Sequence, residues 1–142
     1  MLTIVVGGFY GDEGKGKTVG YLAKHDDFDY VVRAGGGPQA GHTVTKGMAV
    51  TQIPSGFVNI NSRLLIGRGT VVNPEIVLGE IYKYNNEYKV SERIGIDYGC
   101  TIITKENIEQ ELELKERVGS VGSGTGTARV DRILREAKLA KD

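Results

Sequence analysis

The sequence predicts an α/β fold with a largely parallel sheet flanked by helices. Short β-branched apolar runs alternate with helical patterns along the whole chain. Its 21 glycines in 142 residues gather at 7–16, 35–41, 67–69 and 119–126, between those segments. Only 3 prolines accompany them, and no collagen-like period occurs. Glycine at several strand-to-loop junctions fits backbone that turns with positive φ or approaches a ligand closely.

The elements follow in order. Leu2–Val6 is apolar, bounded by Gly7-Gly8, and predicts a buried strand. Thr18–His25 predicts a helix, with Val19, Leu22 and Ala23 at one-face spacing. Tyr30–Arg33 is a second short strand, and Thr43–Thr45 with Ala49–Ile53 flanks Lys46-Gly47-Met48 as a hairpin insertion. Arg63–Ile66 is a further strand. Asn73-Pro74-Glu75 opens a helix: Asn suits the N-cap, Pro the first helical position, and Glu the dipole. Val77, Ile81 and Tyr84 form its inner stripe. Strands at Arg93–Asp97 and Thr101–Thr104 precede a charged surface helix, Lys105–Arg117. A last helix spans Thr127–Lys141, with Val130, Ile133, Leu134, Ala137 and Ala140 on one face.

Composition narrows the function. The chain is long enough for one domain with a sizeable core, and nothing marks a second domain. Eighteen basic and eighteen acidic residues cancel, which argues against binding nucleic acid by bulk charge. The single cysteine, Cys100, forms neither an intrachain disulfide nor, alone, a thiolate metal cage. No apolar run reaches the ~20 residues of a membrane span, and no basic leader precedes the first apolar stretch. The expectation is a cytoplasmic protein.

The sharpest motif is Gly11-Asp12-Glu13-Gly14-Lys15-Gly16-Lys17-Thr18. It fits G-x-x-x-x-G-K-[ST] and lies between a predicted strand and a predicted helix, the context of a phosphate loop. Backbone N–H groups and the helix N-terminus bind anionic oxygens there, a lysine neutralises terminal phosphates, and the hydroxyl reaches a magnesium ion. The alternative is a glycine-rich turn with exposed lysines. Two carboxylates in such a loop are unexpected beside phosphate. Asp12 or Glu13 therefore holds Mg²⁺, acts as a base on a second substrate, or caps the helix. A second loop runs from Arg33 through Gly35-Gly36-Gly37-Pro38-Gln39-Ala40-Gly41 to His42-Thr43. A lone histidine is commonly structural; beside two glycine-rich loops His42 is a catalytic candidate.

GDEGKGK after the first strand, AGHT after the second, IPSG at Ile53–Gly56 and IGRGTVVNP at Ile66–Pro74 together resemble adenylosuccinate synthetase, especially its shorter, archaeal-type members. The resemblance extends through Gly119–Ala128 and covers nearly the whole chain. It implies a P-loop NTPase-like α/β fold, with 1–142 the N-terminal part of one GTP- and purine-nucleotide-binding domain, incomplete relative to the family. It also implies a GTP- and Mg²⁺-dependent ligase that joins IMP to L-aspartate through a 6-phosphoryl intermediate, in AMP biosynthesis. Asp12 would be the base at N1 and His42 the general acid. Gly11, Asp12, Glu13, Gly14, Lys15, Gly16, Lys17, Gly41, His42 and Thr43 would bind GTP. Asp12, Glu13, Gly14, Lys15, Gln39, Ala40, Gly41, His42 and Val121 would meet IMP, and Asp12 with the Gly41 carbonyl would bind Mg²⁺. Arg135, placed on the polar side of the last helix, would reach the partner subunit's monophosphate across a homodimer interface, with Arg132 the nearby competitor.

Three positions depart from the family pattern. Gln39 stands in place of the usual asparagine, Val121 where a threonine hydroxyl is expected, and Thr127 where proline is usual. Ser120, Ser123 and loop backbone offer compensating donors. The departures bear on which monophosphate binds. The family is also considerably longer, so the expectation is an N-terminal piece whose open edges a missing C-terminal segment or complementary fragment covers. Two other functions remain compatible with the residues: a P-loop NTPase or kinase without aspartate ligation, and a non-catalytic nucleotide-binding module.

Overall fold

The computed structural model describes residues 1–142, the side chains of Glu116 and Val118 left aside. Three parallel strands form the main sheet: β1 (Tyr30–Arg33), β4 (Arg63–Ile66) and β6 (Ile94–Ile96), in the order β1-β4-β6. Tyr30 pairs with Arg63 and Leu64 with Ile94. A second parallel pair joins β5 (Val71–Val72) to β7 (Thr101–Ile102). In sequence between β1 and β4 comes a separate antiparallel hairpin, β2 (His42–Thr45) and β3 (Met48–Val50), with His42 opposite Val50.

Four helices surround these strands: α1 (Lys15–His25), α2 (Pro74–Tyr88), α3 (Lys105–Val118) and α4 (Thr125–Leu134). Helix α2 begins as expected, its Asn73 side chain accepting from the Glu75 and Ile76 amides at 3.0 and 3.3 Å. Val77 and Tyr84 are buried and Ile81 packs against the same core. The core gathers Ala23, Val31, Val50, Ile53, Phe57 and Leu64 with Tyr84, Tyr88 and Val90. Helix α1 lies tightly on the chain below it: a Cβ at Gly20 would stand 2.7 Å from Val44 Cγ1.

The structure corrects three element expectations. Leu2–Val6 is not a buried strand; it forms no ladder, and Leu2, Ile4 and Val6 are exposed. A buried strand needs partners for its N–H and C=O groups. Here a groove of about 870 Å³, lined by Met1–Val5 on one side and Asp29–Gly35 on the other, separates the segment from β1. Tyr30 and Val32 of β1 are exposed as well.

The last helix ends at Leu134 rather than Lys141. Arg135 takes a left-handed conformation (φ 65°) and stops it. The chain then turns back to β7, where Ile102 N–H donates to the Lys138 carbonyl at 2.9 Å and Leu139 bridges Thr101. Ala137 and Ala140 are therefore off the helix, and Val130, Ile133 and Leu134 are exposed; the buried residues of α4 are Thr125 and Ala128.

Helix α3 is not purely a surface helix, since Asn107 and Glu111 are buried. Thr104 and Asn107 form a capping box at its start. Asn107 Nδ2 also donates to Asp131 at 2.6 Å, which ties α3 to α4.

Candidate nucleotide site

The first glycine loop turns sharply before α1. Gly11 has φ 136° and Gly14 φ 77°, and Asp12 itself sits at φ 58°. The first helical bond of α1 runs from Thr18 N–H to Gly14 O at 3.0 Å, so the amides of Lys15, Gly16 and Lys17 precede it. A helix start of this kind attracts anions. Thr18 Oγ1 donates back to Gly14 O at 3.2 Å.

Glu13 does not cap the helix; Gly14 is the N-cap and no side chain bonds there. Its carboxylate instead accepts from Phe9 N–H at 3.0 Å and pairs with Lys15 Nζ. The lysine contact, first among the causes, holds Glu13 down at about 2. Glu13 is thus an anion that occupies the Lys15 ammonium, and an entering phosphate would compete for it.

The second glycine loop faces the first. One cleft of about 630 Å³ is lined by Phe9–Lys17 from the first loop and Gln39–Thr43 from the second. The approach is tight at Gly16, where a Cβ would stand 2.7 Å from Thr43 O and 3.0 Å from His42 Cβ. Only glycine lets the start of α1 and strand β2 come this near. The half-buried His42 imidazole is held below its ordinary value by burial first, then by the Arg33 and Lys15 charges; Glu80 opposes them.

The Gly119–Gly126 loop reaches the same region. Thr125 Oγ1 donates to Gln39 Oε1 at 2.9 Å and lies 2.9 Å from Ser123 Oγ. Glu111 holds the loop from behind, accepting from Ser120 Oγ at 2.7 Å and Gly126 N–H at 2.9 Å. Ser120 and Ser123 are thus engaged in fixing the loop. Val121 is exposed. Arg135 is also exposed, and it caps α4 rather than lying on its polar side.

Sequence reasoning missed Arg33, Gln52, Glu80, Glu111 and Thr125. Glu80 had a signal: it lies three residues after Val77 and four before Tyr84, on the inner stripe of α2. Its carboxylate accepts from the Thr51, Gln52 and Ile53 amides and the Thr51 hydroxyl. Gln52 is fully buried, and its Oε1 accepts from Asn73 N–H at 2.8 Å.

Among the described residues no group of three His, Cys, Asp or Glu could alone hold a metal ion. Magnesium commonly binds one or two protein ligands and completes its shell with phosphate and water. Asp12 and Gly41 on the walls of one cleft fit that pattern.

Comparison with known proteins shows the family. The adenylosuccinate synthetase family profile matches residues 4–142. The adenylosuccinate synthetase of Pyrococcus sp. (strain ST700) is 45% identical over 145 residues, covering 98% of this chain and 42% of the relative. That of Archaeoglobus fulgidus is 47% identical over 146 residues, covering 99% and 42%. This chain therefore spans less than half the length of these relatives. Among solved structures, the fully ligated adenylosuccinate synthetase of Plasmodium falciparum superposes with a TM-score of 0.81 at 25% identity, over 93% of this chain and 32% of that one. The cyanophage S-2L succinoaminodeoxyadenylate synthetase, bound to dGMP and dATP, gives 0.71 at 25% identity over 89% and 36%. By sequence, by fold and by the two glycine loops that wall its cleft, the chain belongs to the adenylosuccinate synthetase family.

Proposed function

We propose that this chain forms the GTP- and purine-monophosphate-binding part of a cytoplasmic ligase that joins IMP to L-aspartate. One observation carries the reading: the Gly11–Lys17 loop and the Gln39–Thr43 loop face each other across a single cleft. Lys15, Lys17 and the leading amides of α1 receive the GTP phosphates. Gln39, Ala40, Val121 and the Thr125 end of the third loop meet the monophosphate. Mg²⁺, held by Asp12 and the Gly41 carbonyl, would neutralise phosphate charge.

The chemistry asks two things of these side chains. Asp12 takes the N1 proton of the hypoxanthine ring. The O6 oxyanion then attacks the γ-phosphorus of GTP, the bond to the β-phosphate oxygen breaks, and GDP leaves. His42 donates to the charge that forms between the purine oxygen and the phosphoryl group. The aspartate amine next attacks C6, and inorganic phosphate departs with the former O6. Positioning and charge neutralisation dominate such transfers, and proton-transfer groups contribute ~10²–10⁴-fold.

In this reading the rest of the polypeptide, as a continuation or as a complementary fragment, covers the groove beside β1. Support comes from its exposed apolar walls, Leu2, Ile4, Tyr30 and Val32, and from relatives more than twice as long. Arg135, exposed at the end of α4, is the candidate reaching a twofold partner's monophosphate, as guanidinium groups bind phosphate oxygens in pairs.

The test supplies the chain, with and without the downstream polypeptide, with GTP, Mg²⁺, aspartate and either IMP or dGMP. The dGMP arm is included because Val121 offers no hydroxyl and the cyanophage relative carries dGMP. Adenylosuccinate from IMP supports the proposal. Phosphate release without a ligated product favours a simple NTPase, and nucleotide binding without turnover of the complete assembly favours a non-catalytic module.

A further inference from the structure

The hairpin that carries His42 is gripped at both of its outer ends by buried or half-buried charged side chains from neighbouring elements. On the N-terminal side the grip comes from Arg33, the last residue of β1. Its main chain is fixed by two donors to its carbonyl: Gly67 N–H at 2.9 Å and Thr70 Oγ1 at 3.1 Å. Its side chain is buried, and Nη2 donates to the Gly37 carbonyl at 3.1 Å and reaches the Ala40 carbonyl at 3.5 Å. These two carbonyls bracket the loop that leads directly into His42.

On the C-terminal side the grip comes from Glu80 of α2. His42 pairs with Val50, and the residues directly after Val50 deliver four donors to the Glu80 carboxylate. The contacts to Thr51 Oγ1, Gln52 N–H and Ile53 N–H measure 2.9, 3.0 and 2.9 Å. Helix α2 is itself locked to this segment through Gln52 and Asn73.

Neither charge is used in an ordinary ion pair among the described residues; Arg33 is spent on backbone carbonyls and Glu80 on three backbone amides and the Thr51 hydroxyl. Arg33 even leaves its buried Nε without a partner. Desolvating a guanidinium for carbonyl contacts is costly for stability alone. A fixed orientation of the loops it holds is a compensating use. We infer that Arg33 and Glu80 are positioning residues that hold the flanks of the β2–β3 hairpin so that His42 stays against Gly16 at the start of α1. Neither is assigned contact with substrate. The inference rests on the reading of His42 as a reacting group only for its catalytic consequence.

The test uses NMR on the 142-residue chain and rates on the complete synthetase assembly. The Gly16 Hα to His42 Hβ cross-peak reports the approach directly, and His25, whose Nδ1 lies 2.8 Å from Tyr21 O on α1, is the internal control. In folded Glu80→Gln the cross-peak should weaken and amide exchange should quicken at His42 and Thr43 as well as at 51–53, with His25 unmoved. In the assembly, kcat should fall about tenfold or more with the GTP KM unchanged within about twofold, since small misplacements of reacting groups are costly. Exchange confined to 51–53 with an unchanged cross-peak would overturn the inference. Should Glu80→Gln not fold, Arg33→Lys decides the matter. It keeps the charge and loses the fork, and an unchanged Gly16–His42 cross-peak there overturns the inference equally. A failure of the parent reading shows separately, as full activity in His42→Asn, while the cross-peak still reports on the positioning.

Discussion

Thr125 donates its hydroxyl proton to the side-chain oxygen of Gln39 at 2.9 Å, across 86 residues of sequence. This bond joins the second glycine loop to the N-terminus of α4, and so brings three glycine clusters to one side of the molecule. Thr125→Val keeps the shape and removes the donor. Gln39 is exposed and regains water, so the loss of stability should be about 0.5–1.5 kcal/mol in a denaturant titration. Purine monophosphate affinity should fall more than GTP affinity, which calorimetry on both ligands checks.

Gly16 tests how closely the loops must meet. A methyl group there would stand 2.7 Å from the Thr43 carbonyl oxygen, a backbone atom that cannot swing aside. Gly16→Ala should destabilise the chain by about 1–3 kcal/mol, the usual scale of overpacking. GTP affinity should also drop, because the α1 amides move with the helix.

The His42 imidazole carries a pH signature. Burial and the charges of Arg33 and Lys15 hold it below its ordinary value, with Glu80 acting the other way. The unfolded chain takes up this proton near pH 6.5, and the folded chain takes it up only at lower pH. The unfolded state therefore binds more protons just below that pH, and stability falls as pH drops through 6.5 towards the depressed folded value. Imidazole NMR titration should place His42 below the ordinary histidine value. Denaturant midpoints should decline less between pH 7.5 and 5.5 in His42→Gln than in the parent chain.

Much of the fold was legible because its signals are local. Tyr30–Arg33 and Arg63–Ile66 are apolar runs bounded by turns, and Asn73-Pro74-Glu75 spells a helix start; all three stand where the sequence places them. Leu2–Val6 shows the limit, since apolar character marks a segment suited to burial and not the partner that buries it. The end of α4 shows another. Helical spacing continues to Ala140, but Arg135 adopts a left-handed φ and the chain turns back to satisfy the open edge of β7.

At the site, the glycine loops and His42 were readable from motif and order. The residues that hold them were not. Arg33, Glu80, Glu111 and Thr125 act on backbone or side chains 4 to 86 positions away, and such contacts leave only a faint mark on spacing.

Whether the first two glycine loops wall one nucleotide site is read out by amide NMR during a GTP·Mg²⁺ titration. Amides of Gly11–Lys17 and of Gly41–Thr43 should shift together with one dissociation constant. In Lys17→Ala, both sets should move to weaker binding in step. Shifts confined to the first loop, or an unchanged titration in Lys17→Ala, would contradict it.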